Sequence, residues 1–295
     1  MGFESCHPAV NFLFFAAVLY GSAAFDHPVF LAVAYGCAFA YSVKRNGGKS
    51  VLFNLLLLPL AAAFALYYAG YHHFGVTVLK QNFIGNNLTV ESLVYGLVLG
   101  LRGAAVCMWL SCLFSVVTSD KVVYLFGTIS PLLSLGLTIL LRLIPRVKGE
   151  ARRIDLAQRG IGRGVNQGNL WQRFINCLRI FSMLITWMIQ ALGLEADSMR
   201  SRGSLLRGRT AFSIYCFDNR DRSFVVVLCT AMTLTAMGRI LNLTKMLYNP
   251  RLLWKPLTGL GAVTAAGYAL LCLMPMGLEV WTQHRFRRCR DAAGI

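Results

Sequence analysis

The chain has 295 residues, of which 56% are hydrophobic and 14% charged, against roughly 25% charged residues in an ordinary soluble domain. That composition excludes a soluble globular protein and points to an all-α polytopic membrane protein. The 29 Lys+Arg outweigh 12 Asp+Glu, for a formal net charge of +17, and such an excess on a hydrophobic chain belongs in cytoplasmic loops facing acidic lipid headgroups or acidic protein surfaces.

The opening MGFESCHPAVNF has no Lys or Arg before its first apolar run and no small-residue cleavage pattern, so a removable signal peptide is not expected. Cys6 stands where a myristoylation signal wants Ser or Thr. Six apolar runs are candidate membrane spans: Ala9 to Phe25, Val29 to Val43, Val51 to Ala69, Ser92 to Val117, Phe224 to Leu241 and Leu257 to Val280. The first two follow His7-Pro8 and His27-Pro28, and proline suits the first turn of a helix, where its missing N–H has no partner to lose.

The link at Asp26-His27 has no Lys or Arg, KRNGGK (Lys44 to Lys49) has three, and Ala69 to Asn87 has only Lys80. The positive-inside rule therefore puts the N-terminus and KRNGGK inside, and the chain is inside again at Thr118 to Lys121. Val122 to Ile144 is apolar enough to cross once more. Crossing would expel the most basic region, since Pro145 to Arg222 holds 14 Lys+Arg against 6 Asp+Glu. Pro131 splits the stretch into pieces too short to span, so a broken, re-entrant or interfacial hairpin is expected there.

Within Pro145 to Arg222, Arg146 to Gln158 reads as a charged amphipathic helix, GIGRGVNQGN as a glycine-rich turn, and Leu170 to Arg202 as one helix roughly 50 Å long. Three regions result: an N-terminal membrane domain (1–144), a cytoplasmic coupling-helix domain (145–222), and C-terminal membrane helices with a basic tail (223–295). The loop with Arg239, Lys245, Arg251 and Lys255 and the tail HRFRRCR are both basic; the tail is placed inside.

Several features invite a chemical reading and lead to a structural one. GGKS at Gly47 to Ser50 ends like a phosphate-binding loop, but Val43 stands where its first glycine belongs, so it reads as a turn. His72-His73 has no Cys, Asp or Glu at ligand spacing. The nine cysteines are scattered singly, several of them (Cys37, Cys107, Cys112, Cys229, Cys272) in apolar runs, which fits small apolar residues better than disulfides or a metal site. No nucleophile and base constellation is found, so a catalytic role is not expected.

Arg102, near the middle of the fourth span, is a costly intramembrane charge that calls for a substrate, a partner or a hydrogen bond to another helix. Gly96 and Gly100 in the same span have the four-residue spacing that lets helices approach closely.

Two helix ends stand out. AQRGIGRG (Ala157 to Gly164) and ADSMRSRG (Ala196 to Gly203) each combine alanine, a basic cluster and a terminating glycine. Glycine after the last turn and basic residues within it are ordinary helix-stop chemistry. Their recurrence on two helices of one basic region suggests docking, since an arginine on a rigid tip can pair bidentately with a carboxylate. Candidate docking residues are Arg159, Arg163, Arg200, Ser201, Arg202 and Gly203.

The chain resembles the transmembrane T component of energy-coupling factor transporters (EcfT/CbiQ family), vitamin-importing ABC systems. The matching segments are HPAVNF, HPVFLA (His27 to Ala32), TSDKVVYLFG (Thr118 to Gly127), LRLIPRVK (Leu141 to Lys148), and ADSMRSRG followed by GRTAFSIY (Gly208 to Tyr215). The resemblance implies a non-catalytic scaffold in a prokaryotic cell membrane. It would hold a homologous pair of cytoplasmic ATPases, which bind ATP and Mg, through two coupling helices, and a membrane S component, which binds the vitamin or micronutrient. No cofactor in this chain and no nucleic acid are implied. Family members carry an X-Arg-Gly type element at each coupling-helix end. Ser201-Arg202-Gly203 matches it, whereas Ile161 occupies the place of the usual second arginine in the first, leaving Arg159 and Arg163. Two other readings compete: a conventional ABC or cobalt/nickel-type permease that lines the substrate path itself, and a multipass enzyme.

Overall fold

In a computed structural model of the chain, the described residues are 2–72, 74–81, 87–203, 215–248, 252–253 and 256–292. The helices are α1 (Pro8–Ala24), α2 (Pro28–Asn46), α3 (Gly48–Tyr71), α4 (Val90–Val116), α5 (Ser119–Ile129), α6 (Pro131–Gly160), α7 (Leu170–Ser201), α8 (Asn219–Ile240) and α9 (Gly259–Ala292). A short antiparallel hairpin, β1 (Val78–Gln81) with β2 (Asn87–Thr89), lies in the α3–α4 connection and pairs Val78 with Thr89 and Lys80 with Leu88. The protein is an all-α polytopic membrane protein. It divides into two compact units, Met1–Thr118 with Tyr215–Ile295, and Ser119–Ile214.

All six expected spans form helices in the first unit. α1 and α2 both start on His-Pro, and each histidine accepts the N–H two residues on through Nδ1, from Ala9 to His7 (3.3 Å) and from Val29 to His27 (3.3 Å). α3 is inside-out compared with a soluble helix: Ser50, Asn54, Ala61 and Ala65 are buried, while Leu52, Leu56, Leu60 and Leu66 are exposed. Small residues face α4 so that the backbones can meet, and leucines face outward, where lipid replaces water. A Cβ on Gly96 would lie 2.9 Å from the Ala65 carbonyl oxygen, and one on Gly100 would lie 2.6 Å from that of Ala61. The core is aromatic, with Phe3 against Phe14 (ring centroids 5.2 Å apart) and Phe224 (5.5 Å), and Trp109 stacked on Tyr41 (5.9 Å).

Polar contacts sort the loops of this unit onto two ends. At one end Arg45 pairs with Glu4 and donates to Ser115 Oγ (3.1 Å), Lys44 meets Glu279 (3.5 Å), and the His7 N–H donates to Asp221 (3.2 Å). The N-terminus, the α2–α3 turn, the end of α4, the start of α8 and the part of α9 around Glu279 therefore share that end. At the other end the Asp26 and His27 N–H groups both donate to the Thr244 carbonyl (3.0 Å each), and Tyr248 Oη donates to the Asp26 carbonyl (2.7 Å). The basic tail thus emerges on the end that carries KRNGGK, and Arg239 and Lys245 fall toward the opposite end.

Among the described residues five helices are long and apolar enough to cross a membrane: α3, α4, α7, α8 and α9 from Gly259 to Arg285. Of the six expected spans, four are in that set; α1, with 17 residues, is too short, and α2 is not among the five. The short α1 matches a feature of α4. Arg102, 12 residues into α4, pairs with Asp26, so the α1–α2 link sits ~18 Å along α4 from its start.

In the second unit the chain breaks at Ser130, which is extended (φ −149°, ψ 117°), and Pro131 opens α6. A residue before proline is pushed out of the helical region, so the expected break falls where the sequence puts it. Pro145 has no such effect. α6 runs through it for 30 residues, so the helix expected to start at Arg146 is the second half of α6, and the expected boundary at 144/145 falls inside a helix. The boundaries of the compact units fall instead at 118/119 and 214/215. Pro145 removes one intrahelical bond, yet α6 continues through it and packs on α5 and α7.

Candidate docking tips of two long helices

α6 and α7 run antiparallel. Arg146 meets Glu195 (3.3 Å), Gln158 Nε2 lies 3.7 Å from Met183 Sδ, and the Asn176 side chain donates to the Gly164 carbonyl (3.2 Å). The contacts step down one helix as they step up the other. The two helix ends singled out in the sequence are therefore at opposite ends of the pair: Arg202 is 19 residues beyond Met183 on α7, which places it ~28 Å from the level of Gln158.

Both ends terminate on a left-handed glycine whose N–H donates to the carbonyl three residues back. At the first, Gly162 has φ +77°, its N–H donates to the Arg159 carbonyl (3.1 Å), and the Arg163 N–H reaches back to the Gln158 carbonyl (2.9 Å). This is a complete Schellman cap, in which a left-handed residue lets two free carbonyls be satisfied and glycine carries no side-chain penalty. At the second, Gly203 has φ +74° and its N–H donates to the Arg200 carbonyl (3.0 Å). Aligned on the left-handed glycine, Arg159 corresponds to Arg200 and Ile161 to Arg202. The terminating glycine of the first end is Gly162, one residue beyond Ile161.

The tips differ in how firmly they are held. Arg159 pairs with Asp155 one turn earlier (2.6 Å), and Asp155 also accepts the Val165 N–H (3.1 Å). That backbone bond, and then Arg159, hold the Asp155 carboxyl below the ordinary aspartate range. Gly164 leaves room for the Arg159 stem, since a Cβ there would collide with Arg159 Cγ, and Gln167 accepts the Gly164 N–H (2.9 Å). The four-residue spacing of Asp155 and Arg159 is a signal visible in the sequence; the roles of Gln167 and Asn176 depend on the turn's fold and are not. Arg163, Arg200 and Arg202 are exposed, and Ser201 Oγ donates to the Ser198 carbonyl (2.8 Å). GRTAFSIY lies outside the described residues except for Tyr215, as do His73, Arg251 and Lys255.

Arg102 is in the first unit and has partners within the chain. Its guanidinium pairs with Asp26 and donates to the Phe25 carbonyl (3.3 Å), tying α4 to the α1–α2 link that Thr244 and Tyr248 also hold. GGKS forms the α2–α3 turn, where Gly47 has φ +73° and the buried hydroxyls of Ser42 and Ser50 meet at 2.5 Å. His72 stacks on Tyr68, with ring centroids 4.1 Å apart. No group of three His, Cys, Asp or Glu suited to a metal occurs among the described residues.

Both chain junctions leave the first unit at its basic end. Ser115 is held there by Arg45, and Phe217 packs on His7 (ring centroids 5.5 Å apart). The residues that flank the segment 119–214, Ser115 and Phe217, therefore lie at one end of the first unit. No protein-family model matches the chain, and no curated protein matches it.

Proposed function

We propose that the chain is the membrane scaffold of an ATP-driven importer of the energy-coupling factor type, a non-catalytic T component in a prokaryotic cell membrane. The observation that carries this reading is the antiparallel α6–α7 pair, whose two ends repeat one glycine-capped geometry ~28 Å apart and present arginines at their tips. Two separated tips suit two partner subunits, one groove each. In this reading ATP and Mg are bound by those ATPases, and the vitamin or micronutrient is bound by a separate S component. In the same reading α6 and α7 lie on the cytoplasmic side, which the basic charge of the segment supports. Exposed apolar residues along α7, among them Phe174, Leu178, Phe181 and Ile185, suit a helix that lies against the membrane or a membrane partner.

When nucleotide closes the ATPase pair, each tip moves with its groove, and α6 and α7 carry that motion to the bound S component. Closure shifts the assembly only in so far as the ATPases bind its two arrangements with different affinity. The test is co-expression with the accompanying ATPases, comparing pull-down and ATP-driven uptake. Loss of a charge-assisted arginine contact is worth about 10- to 100-fold in affinity. Arg202→Ala is expected to weaken assembly by that amount, Arg159→Ala by less because Arg159 is already committed to Asp155, and Ile161→Arg to strengthen it. Unchanged assembly and uptake in the Arg159→Ala/Arg202→Ala double variant would refute the docking role.

A further inference from the structure

One face of the second half of α9 lines a shallow groove that ATPase docking does not use, and among the described residues all of its lining comes from this helix. It is open, about 730 Å³ in volume, and graded along its length: Leu273 and Gly277 lie at one end, Trp281 in the middle, and His284, Arg285 and Arg288 at the other. The Arg285 guanidinium lies 5.1 Å from the Trp281 ring centroid. Glu279 is engaged by Lys44 (3.5 Å), and no carboxylate lines the groove among the described residues. Nothing lies within 4 Å of a Cβ built on Gly277, so the apolar floor is open.

The depth of each part follows from helix geometry. Gly259 to Val280 is 22 residues, ~33 Å of helix against a hydrocarbon core about 30 Å thick. Trp281 therefore comes where the hydrocarbon ends, the usual station of an amphipathic ring. Arg285 and Arg288 lie ~6 and ~10 Å further along, at headgroup depth.

We propose that this groove binds an anionic phospholipid of the leaflet at the basic end, with an acyl chain along Leu273 and Gly277 and the phosphate between Arg285 and Arg288. A soluble phosphate would leave the apolar half unfilled; a bilayer lipid matches both halves at once. The inference needs only that α9 spans the membrane and does not depend on the transporter reading.

The test uses the full chain in nanodiscs of phosphatidylcholine with and without phosphatidylglycerol, each lipid in turn carrying brominated acyl chains that quench nearby tryptophan. Trp281→Phe protein supplies the background from the other four tryptophans. Brominated phosphatidylglycerol is expected to occupy the site with about fivefold preference or more over phosphatidylcholine, as one surface arginine is worth. Arg285→Ala/Arg288→Ala should bring that preference close to one, and Gly277→Leu, which leaves the charge intact, should reduce quenching by filling the floor. Lys49→Ala/Arg222→Ala removes the same charge from exposed positions at the same end and should leave the preference in place. Equal loss in both double variants means general attraction to a basic protein and overturns the site, as does wild-type protein without preference.

Discussion

Gly100 and Gly103 are three residues apart on α4, and alanine at each should move stability in opposite directions. At Gly103, which is exposed, a Cβ meets nothing within 4 Å. Alanine there keeps only the helix-propensity gain, about 0.8–1 kcal/mol. At Gly100 the new Cβ would sit 2.6 Å from the Ala61 carbonyl oxygen and 3.0 Å from Ala61 Cα. Both are backbone atoms, so no rotamer change relieves the contact and α3 and α4 must separate. Overpacking of this kind costs about 1–3 kcal/mol. Because the propensity gain is common to both variants, the difference between them isolates the packing cost, on the order of 1–3 kcal/mol in favour of Gly103→Ala. Unfolding in mixed micelles, followed by far-ultraviolet circular dichroism as denaturing detergent increases, measures that difference. Equal stability of the two variants would show that the α3–α4 seam is not closely packed.

The ion pair and the first tip make separate predictions. Asp26→Asn leaves Arg102 without its carboxylate and should cost about 3 kcal/mol, whereas Asp26→Asn/Arg102→Met should cost less, a sign a double-mutant cycle in the same micelles reads directly; a double variant at least as unstable as the single would contradict it. The Asp155 carboxyl titrates below its ordinary value because the Val165 N–H and Arg159 favour the charged form. A depressed folded-state pKa stabilises the turn above the unfolded value, about 3.9, and the contribution is lost as pH falls through the folded value. Exchange protection of the Val165 amide, corrected for intrinsic rate, should therefore drop in acid and become independent of pH in Asp155→Asn.

Much of the architecture is legible in the sequence because it depends on near neighbours in the chain. Apolar content over some 20 residues marks a span, proline fixes its own φ and disfavours a helical residue before it, and glycines four apart share a face. Hence the six helices of the first unit, the break at Pro131 and the Gly96–Gly100 seam can be read without coordinates. Pro145 shows where such reasoning stops. A proline weakens a helix by a calculable amount, but whether the helix continues depends on what packs against it, here α5 and α7.

The docking tips divide in the same way. The arginines and glycines are visible in AQRGIGRG and ADSMRSRG, and so is the departure at Ile161. Which glycine turns left-handed is not, because in a stretch with glycine at 160, 162 and 164 the choice belongs to the hydrogen bonds that close the cap. The sequence by itself determined membrane character, helix content and the presence of a costly charge at Arg102. Only the tertiary structure decided that Arg102 answers Asp26, 76 residues away, and that both junctions of the basic segment open on one end of the first unit. Local propensity can report what a residue costs. Its partner is set by the packing of helices that sequence separation does not order.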